Sequence, residues 1–598
     1  MKNTTFLTSI AVTLFAMLPL SQAVADNGPV VVGNITINIV DSDPALGFGD
    51  PTPATPVGGN PGITVGEQRL EAYKRAAEIW DETLDIDVQV VLQAIFTPLS
   101  CSPGSGVLGA AGALTVFRDF PAPSFPSTWY AAALSNELSG FDLGGTTPDP
   151  GFLEPPFNDE IFSLFNSELG TDECLTDSAW YYGLDNNNPA GTIDFLAVLL
   201  HEVGHGLGFQ NFADDNSGAN FLGFPDQWSR FQRDNALVGK HWDQMIDIER
   251  QFSAANGPNL VWAGPRVTAE APNVLGPTRV ILVNAPADIA GSELPFGTAG
   301  FGPAVPAGGL TGDLELANDG VDAASDACEP LTNDLTGKLA LVDRGECSFT
   351  VKAVNAQNAG AIGVIIANNQ TGDTPNGLGG SDPAVAVPTV SVTLGGGALL
   401  REFPGTNVSI GAPASDGSLA GTASNGLVKL YAPFPVQPGS SVAHFDVTAS
   451  PNVLMEPNIS GDLQPTNPAV GLDLTDELLN DIGWDGTISC PVDSDDRDTV
   501  SLLNFCETGV PNREGTYTVI PSKAWLPAMA RGSVAGGCYL QDVVDSCYPL
   551  INADGGGGQY NSCIVQVTNE LRKQRNLSMS EANAIQACSA LIAPLLNP

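Results

Sequence analysis

Five residues constrain this chain more than any others. His201-Glu202-Val203-Gly204-His205 lies in a stretch whose apolar residues Ile193, Leu196, Leu200, Val203 and Leu207 recur at helical spacing. Thr192 is a suitable N-cap and Gly208 a suitable stop, so the spacing predicts one helix between them. At about 100° per residue, positions four apart lie about 40° apart on one helix face, so both imidazoles can reach one metal ion. Glu202 lies on the flank of that face, where it can take a proton from a metal-activated water without being a ligand. Four histidines in 598 residues give about 0.02 pairs at this spacing by chance, and far fewer with glutamate second. The bland alternative is a pair of helix histidines satisfied by hydrogen bonds, but the apolar stripe already supplies the core contact of this helix.

The N-terminus runs from Met1-Lys2-Asn3 through an apolar stretch, Phe6 to Leu20, to Ala23-Val24-Ala25, the small-x-small form that signal peptidase accepts. Residues 1–25 therefore read as a signal peptide, and the mature protein is expected to be secreted, with a periplasmic location as the variant. The stretch is shorter than the roughly 20 apolar residues that a span needs, so no stable membrane anchor is expected. Ten cysteines without a C-x-x-C pair read as disulfides of an oxidising compartment. The formal charge of -44, from 67 acidic against 23 basic residues, argues against nucleic acid or an anionic membrane as a partner.

A chain of this length needs several cores. Val30 to Val40 alternates as a strand does. Thr64 and Glu67 form a capping box ahead of Leu70, Tyr73, Ala77, Trp80 and Leu84, which predicts a helix over 65–84. A strand follows over Asp85 to Phe96. Cys101 and Cys174 stand alone in the loop-rich region beyond it and pair by elimination. Lys338 to Asn368 reads strand, helix, strand. Past Trp484 come an acidic run, Asp493 to Asp498, and six cysteines, Cys490, Cys506, Cys538, Cys547, Cys563 and Cys588, whose 15 pairings stay open. Two helices are expected near the end, over Tyr560 to Gln574 and after the capping pair Ser578 and Glu581. The acidic run offers oxygen ligands to Ca2+, but it lacks the glycine and terminal glutamate of an EF-hand loop, and a solvated linker is the expected reading.

The longer string His201-Glu-Val-Gly-His205-Gly-Leu-Gly208-Phe resembles the metzincin pattern, in which a glycine lets the chain leave the helix toward a third histidine. Here Asn211 stands where that histidine would be, with Asp214 and Asp215 close by. The remaining histidines are His241 and His444. His241, in Lys240-His-Trp-Asp-Gln-Met245, falls in a segment that reads as amphipathic helix and surface. His444, in Gly439-Ser-Ser-Val-Ala-His-Phe-Asp, precedes Leu454-Met455-Glu456-Pro457. This arrangement resembles the leishmanolysin-type metzincins, whose third histidine follows a long insertion and precedes a methionine turn. The resemblance implies one Zn2+ on His201, His205 and His444, Glu202 as general base, Gly208 at the helix exit and Met455 as the apolar floor of the Met-turn.

Between the two halves, Leu339-Ala-Leu-Val-Asp-Arg-Gly-Glu-Cys347-Ser-Phe, then Lys352 and Ala359 to Asn368, resembles a protease-associated (PA) domain, a binding or lid module without catalytic residues. That resemblance implies a disulfide between Cys328 and Cys347. The fold expected is an α+β multidomain chain in which a metzincin-like zinc protease domain, with a mixed sheet and an active-site helix, is interrupted by a small α/β PA domain. A disulfide-bonded helical module closes the chain. The boundaries expected are 26–265 and 426–489 for the two parts of the peptidase domain, 266–425 for the insertion and 490–598 for the tail.

The function expected is a secreted zinc metalloendopeptidase acting on protein or peptide substrates. One rival is a non-catalytic exported binding protein with structural zinc, which an intact Glu202 and the lack of a fourth protein ligand oppose. The other is an exopeptidase with paired metals, for which four histidines are few.

Overall fold

The computed structural model describes residues 28–486 apart from positions 42, 103–104, 121–126, 145–158, 177, 190, 238–239, 322, 372–374, 376, 381, 459–462 and 464–471. Beyond 486 it describes 510–511, 517–518 and scattered positions between 564 and 586. The expected signal segment, the acidic run and the six tail cysteines lie outside the described residues. Two compact units emerge, one from Gly276 to Ala420 and one built from the chain on either side of it.

The larger unit opens with β1 (Val30–Val32) and β2 (Ile35–Ile39), then α1 (Val65–Leu84) and β3 (Val90–Thr97). The single strand expected over Val30 to Val40 is a hairpin, because Gly33 adopts a φ of +55° and reverses the chain. β4 (Gly109–Ala113), α2 (Ala132–Ser139), β5 (Ile161–Asn166) and α3 (Phe195–Gly206) follow. The sheet order is β1-β2-β3-β5-β4, with β2, β3 and β5 parallel and the edge strands β1 and β4 antiparallel. At the start of α1, Thr64 Oγ1 accepts the Glu67 N–H and a Glu67 carboxylate oxygen accepts the Thr64 N–H, the reciprocal bonds of a capping box.

α3 differs from its expected form at both the start and the surface. Thr192–Asp194 is a short parallel strand beside Ala179–Tyr181, and Asp194 is the N-cap, accepting the Ala197 N–H at 3.2 Å. The rings of Tyr73, Phe96, Phe165, Trp180 and Tyr182 all surround Phe195, with centroids 5.0–6.1 Å away. All twelve residues of α3 are buried. The stripe that identified the helix is therefore only part of what it packs.

A second sheet of the larger unit joins Lys240–His241, Gln232–Asp234, Leu260–Trp262 and Val428–Lys429 in that order. Val428 pairs with Trp262 and Lys429 with Val261, so the chain resumes after the insertion within the sheet it had left. His241 lies in this sheet and is 1% exposed, with Nδ1 2.5 Å from the Arg230 carbonyl. The amphipathic surface helix expected around it is instead Asp247–Ser253, a few residues further on.

The unit from Gly276 to Ala420 holds an eight-stranded sheet. Leu310–Leu316, Leu339–Asp343, Gly363–Ala367 and Thr389–Val392 run parallel at its centre, and the helix Phe349–Asn358 joins two of them. Leu339, Leu341 and Ile365 enter one core while Ala340, Val342, Val364 and Ile366 enter another, so both faces of the strands are covered. Among the described residues two disulfides are formed, Cys101–Cys174 in the larger unit and Cys328–Cys347 in the smaller.

Candidate metal centre

α3 presents His201 and His205 on one face, as their spacing requires, and the chain beyond the insertion supplies His444. The His201 Nε2 lies 3.2 Å from the Nε2 of both His205 and His444. All three side chains are buried. Each ring is oriented by its other nitrogen: Nδ1 of His201 donates to the Leu454 carbonyl at 2.7 Å, Nδ1 of His205 to Phe209 at 2.7 Å, and Nδ1 of His444 to Ser440 at 2.8 Å. A carbonyl can only accept, so the proton sits on Nδ1 and each Nε2 directs a lone pair at the same point.

Three converging lone pairs repel unless a cation lies between them. Ligands about 2.0–2.1 Å from a tetrahedral zinc lie about 3.3 Å apart, close to the spacing found here. Burial, with the neighbouring imidazoles, lowers the pKa of His201 to about 3 and that of His444 well below the usual value, and burial lowers that of His205 to about 4. The rings are neutral near pH 7, the state in which imidazole binds metal.

Glu202 is fully buried, and neither carboxylate oxygen makes a hydrogen bond of ordinary geometry. Burial pushes its carboxyl up to about 8, with the Ala111 N–H of β4 acting in the opposite direction. A buried acid whose oxygens lack hydrogen bonds of ordinary geometry is a candidate for proton transfer.

The helix exit explains how one turn serves the site. Gly208 has a φ of +119°, and the Phe209 N–H bonds back to the Gly204 carbonyl at 3.1 Å. This reversal brings the Phe209 carbonyl to His205 Nδ1. Trp484 Nε1 donates to the Leu207 carbonyl at 2.8 Å and fixes the same turn. Met455 packs on α3 beside Gly204, where an added Cβ would lie 3.1 Å from its sulfur.

Asn211 turns away from the histidines and donates to Gln232 Oε1 at 2.5 Å. Asp214 accepts the N–H groups of Asn216 and Ser217 in a turn of its own. Gln232 Nε2 in turn donates to the Val442 carbonyl at 2.9 Å, as does Trp228 Nε1 at 3.2 Å. Val442 has a φ of +65°, strained for a β-branched residue, and these bonds hold it two residues before His444. Leu454, Phe209 and Ser440 act through backbone carbonyls, which no residue type signals. Their role was not legible in the sequence.

Residues 280–400 match the PA domain family. Short segments are similar to the minor extracellular protease Vpr of Bacillus subtilis, 39% identical over 88 residues, and to the probable leucine aminopeptidase 2 of Aspergillus fumigatus, 41% over 72 residues. These cover 15% and 12% of this chain, and 10% and 14% of those proteins, so the chain spans only a small part of the curated relatives it matches. A human ER degradation-enhancing alpha-mannosidase-like protein 3 is 48% identical over 52 residues, 8% of this chain and 6% of that protein. Names this diverse mark a shared module and no common activity. Among solved structures, the zinc aminopeptidase BSAP from Bacillus subtilis is similar at 23% identity, covering 24% of this chain and 35% of that chain with a TM-score of 0.18. A likeness that low carries no inference about the rest of the chain.

Proposed function

We propose that this PA-domain-bearing chain is an exported zinc-dependent endopeptidase with His201, His205 and His444 as metal ligands and Glu202 as general base. The observation that carries the reading is the convergence of three buried, neutral imidazoles whose tautomers are fixed by backbone carbonyls, two of them on the helix that also bears the buried Glu202. When bound, zinc polarises the peptide carbonyl and lowers the pKa of water to about 7. A cation held beside Glu202 would favour its carboxylate against the effect of burial, so that Glu202 can accept the proton of the attacking water and return it to the leaving amine. The three histidines stay neutral throughout, and their Nδ1 bonds keep the rings from turning. Met455 and Gly204 keep the rear of the site apolar and close-packed, so charge changes are confined to the side that bears Glu202.

Zinc supports this reading better than a harder cation, because an all-imidazole donor set suits borderline metals and not Ca2+ or Mg2+. Glu202→Gln tests it directly. The variant should retain one zinc per chain by elemental analysis and lose casein cleavage. Cleavage that persists would remove Glu202 from the mechanism, and zinc without cleavage in the wild type would favour a binding protein. Internal cleavage of an N-acetylated peptide separates an endopeptidase from an aminopeptidase.

A further inference from the structure

The unit from Gly276 to Ala420 contains a group of acids that has no part in the proposed peptide hydrolysis. Asp319, Asp326 and Glu329 each offer a carboxylate oxygen within 4.8 Å of the others. Asp319 is 5% exposed and Asp326 4%, while Glu329 lies at the surface. Backbone groups satisfy only part of this cluster: Asp319 Oδ1 accepts the Val321 N–H at 3.2 Å and Asp326 Oδ1 the Cys328 N–H at 2.9 Å. The second Asp319 oxygen, Oδ2, is buried and accepts no hydrogen bond. A buried carboxylate without compensation is strongly unfavourable, so a positive group is required beside it.

Lys352 is the cation already near these acids. Its buried ammonium feels Asp319, Asp326, Glu329 and the exposed Glu346. It donates, however, to the Asp326 carbonyl at 2.6 Å and to Cys328 Sγ at 3.3 Å, and leaves Asp319 Oδ2 unmatched. One ammonium against the three clustered carboxylates, with Glu346 nearby, leaves an excess of negative charge that a divalent cation would reduce.

We propose that Asp319, Asp326 and Glu329 form a second metal site, for calcium. An oxygen-only donor set selects hard cations over zinc. Calcium accepts oxygen ligands in flexible geometry, whereas magnesium demands a near-ideal octahedron and keeps several of its waters, so carboxylates presented by a loop suit Ca2+ better. The ligands are pre-positioned. Asp326 and Glu329 flank Cys328, which the disulfide to Cys347 fixes, and the Asp319 N–H bonds to the Ala324 carbonyl at 2.8 Å. The ion would tie the loop from Asp319 to Glu329 to the disulfide, independently of the zinc chemistry.

Calcium titration calorimetry on the full, zinc-loaded chain, in about 0.5 M KCl to screen diffuse binding by the acidic surface, tests this. The wild type should bind one Ca2+ more per chain than Asp319→Asn, and Glu329→Gln should weaken that site about tenfold. Zinc content and circular dichroism report whether each variant is folded. If Asp319→Asn does not fold, the surface variant Glu329→Gln decides. No calcium uptake by the wild type at millimolar concentration, or titrations of the folded variants that match it, would overturn the proposal.

Discussion

His201 donates its Nδ1 proton to the carbonyl of Leu454, 253 residues further along the chain, at 2.7 Å. This bond ties the helix that carries the candidate metal ligands to the residue that precedes Met455, and it makes the orientation of His201 depend on a segment beyond the insertion. The Leu454 N–H is held in turn by Asp473 Oδ2 at 2.6 Å.

The first prediction follows from that relay. Asp473→Ala should weaken zinc binding by about 10–100-fold, the usual effect of losing a group that orients a ligand. Asp473→Asn, which keeps one acceptor, should lose less. Competition with a zinc chelator measures both, and equal affinities in all three proteins would show that Asp473 does not support His201.

His444→Ala should abolish both zinc binding and casein cleavage, whereas His241→Ala should leave one zinc per chain. His241 is buried elsewhere against the Arg230 carbonyl, so its loss is expected to reduce stability without reducing zinc stoichiometry. Metal retained in His444→Ala would return the third ligand to another residue.

At Gly206, α3 packs directly on Ile161 of β5. A Cβ there would lie 2.2 Å from Ile161 Cγ2, on a side chain with little rotamer freedom. Gly206→Ala should therefore destabilise the protein by about 1–3 kcal/mol despite the better helix propensity of alanine. Urea denaturation of the metal-free protein measures this, and Ile161→Ala in the same chain should recover part of the loss.

Glu160 provides a pH dependence away from the metal. Burial pushes its carboxyl up to about 8, while the Val91 N–H, bonded at 2.7 Å, favours the charged form. A raised acid pKa means that the folded state holds more protons than the unfolded one between about 4.5 and 8, so stability falls as pH rises through that window. Glu160→Gln should flatten the slope. Melting temperatures of both proteins at pH 5 and pH 8 check it, and parallel slopes would rule out Glu160 as the source.

Local signals carried much of the design. The capping residues Thr64 and Glu67 and the apolar spacing after them predict α1 over 65–84, because a helix start depends on bonds within four residues. The pair His201 and His205 needed only helical geometry. Tertiary structure decided what these residues face. Thr192 was a plausible cap, but strand pairing with Ala179 took it into a sheet and left the cap to Asp194. His241 and His444 are both buried histidines, and only packing put His444 among imidazoles and His241 against the Arg230 carbonyl. The orientation of each ligand rests on carbonyls of Leu454, Phe209 and Ser440, and every residue type carries a carbonyl. Sequence therefore determined the candidate ligand chemistry on α3 and pointed to His444 through a resemblance, while the fold determined that the three rings meet and how each is directed, since those depend on backbone positions brought together across hundreds of residues.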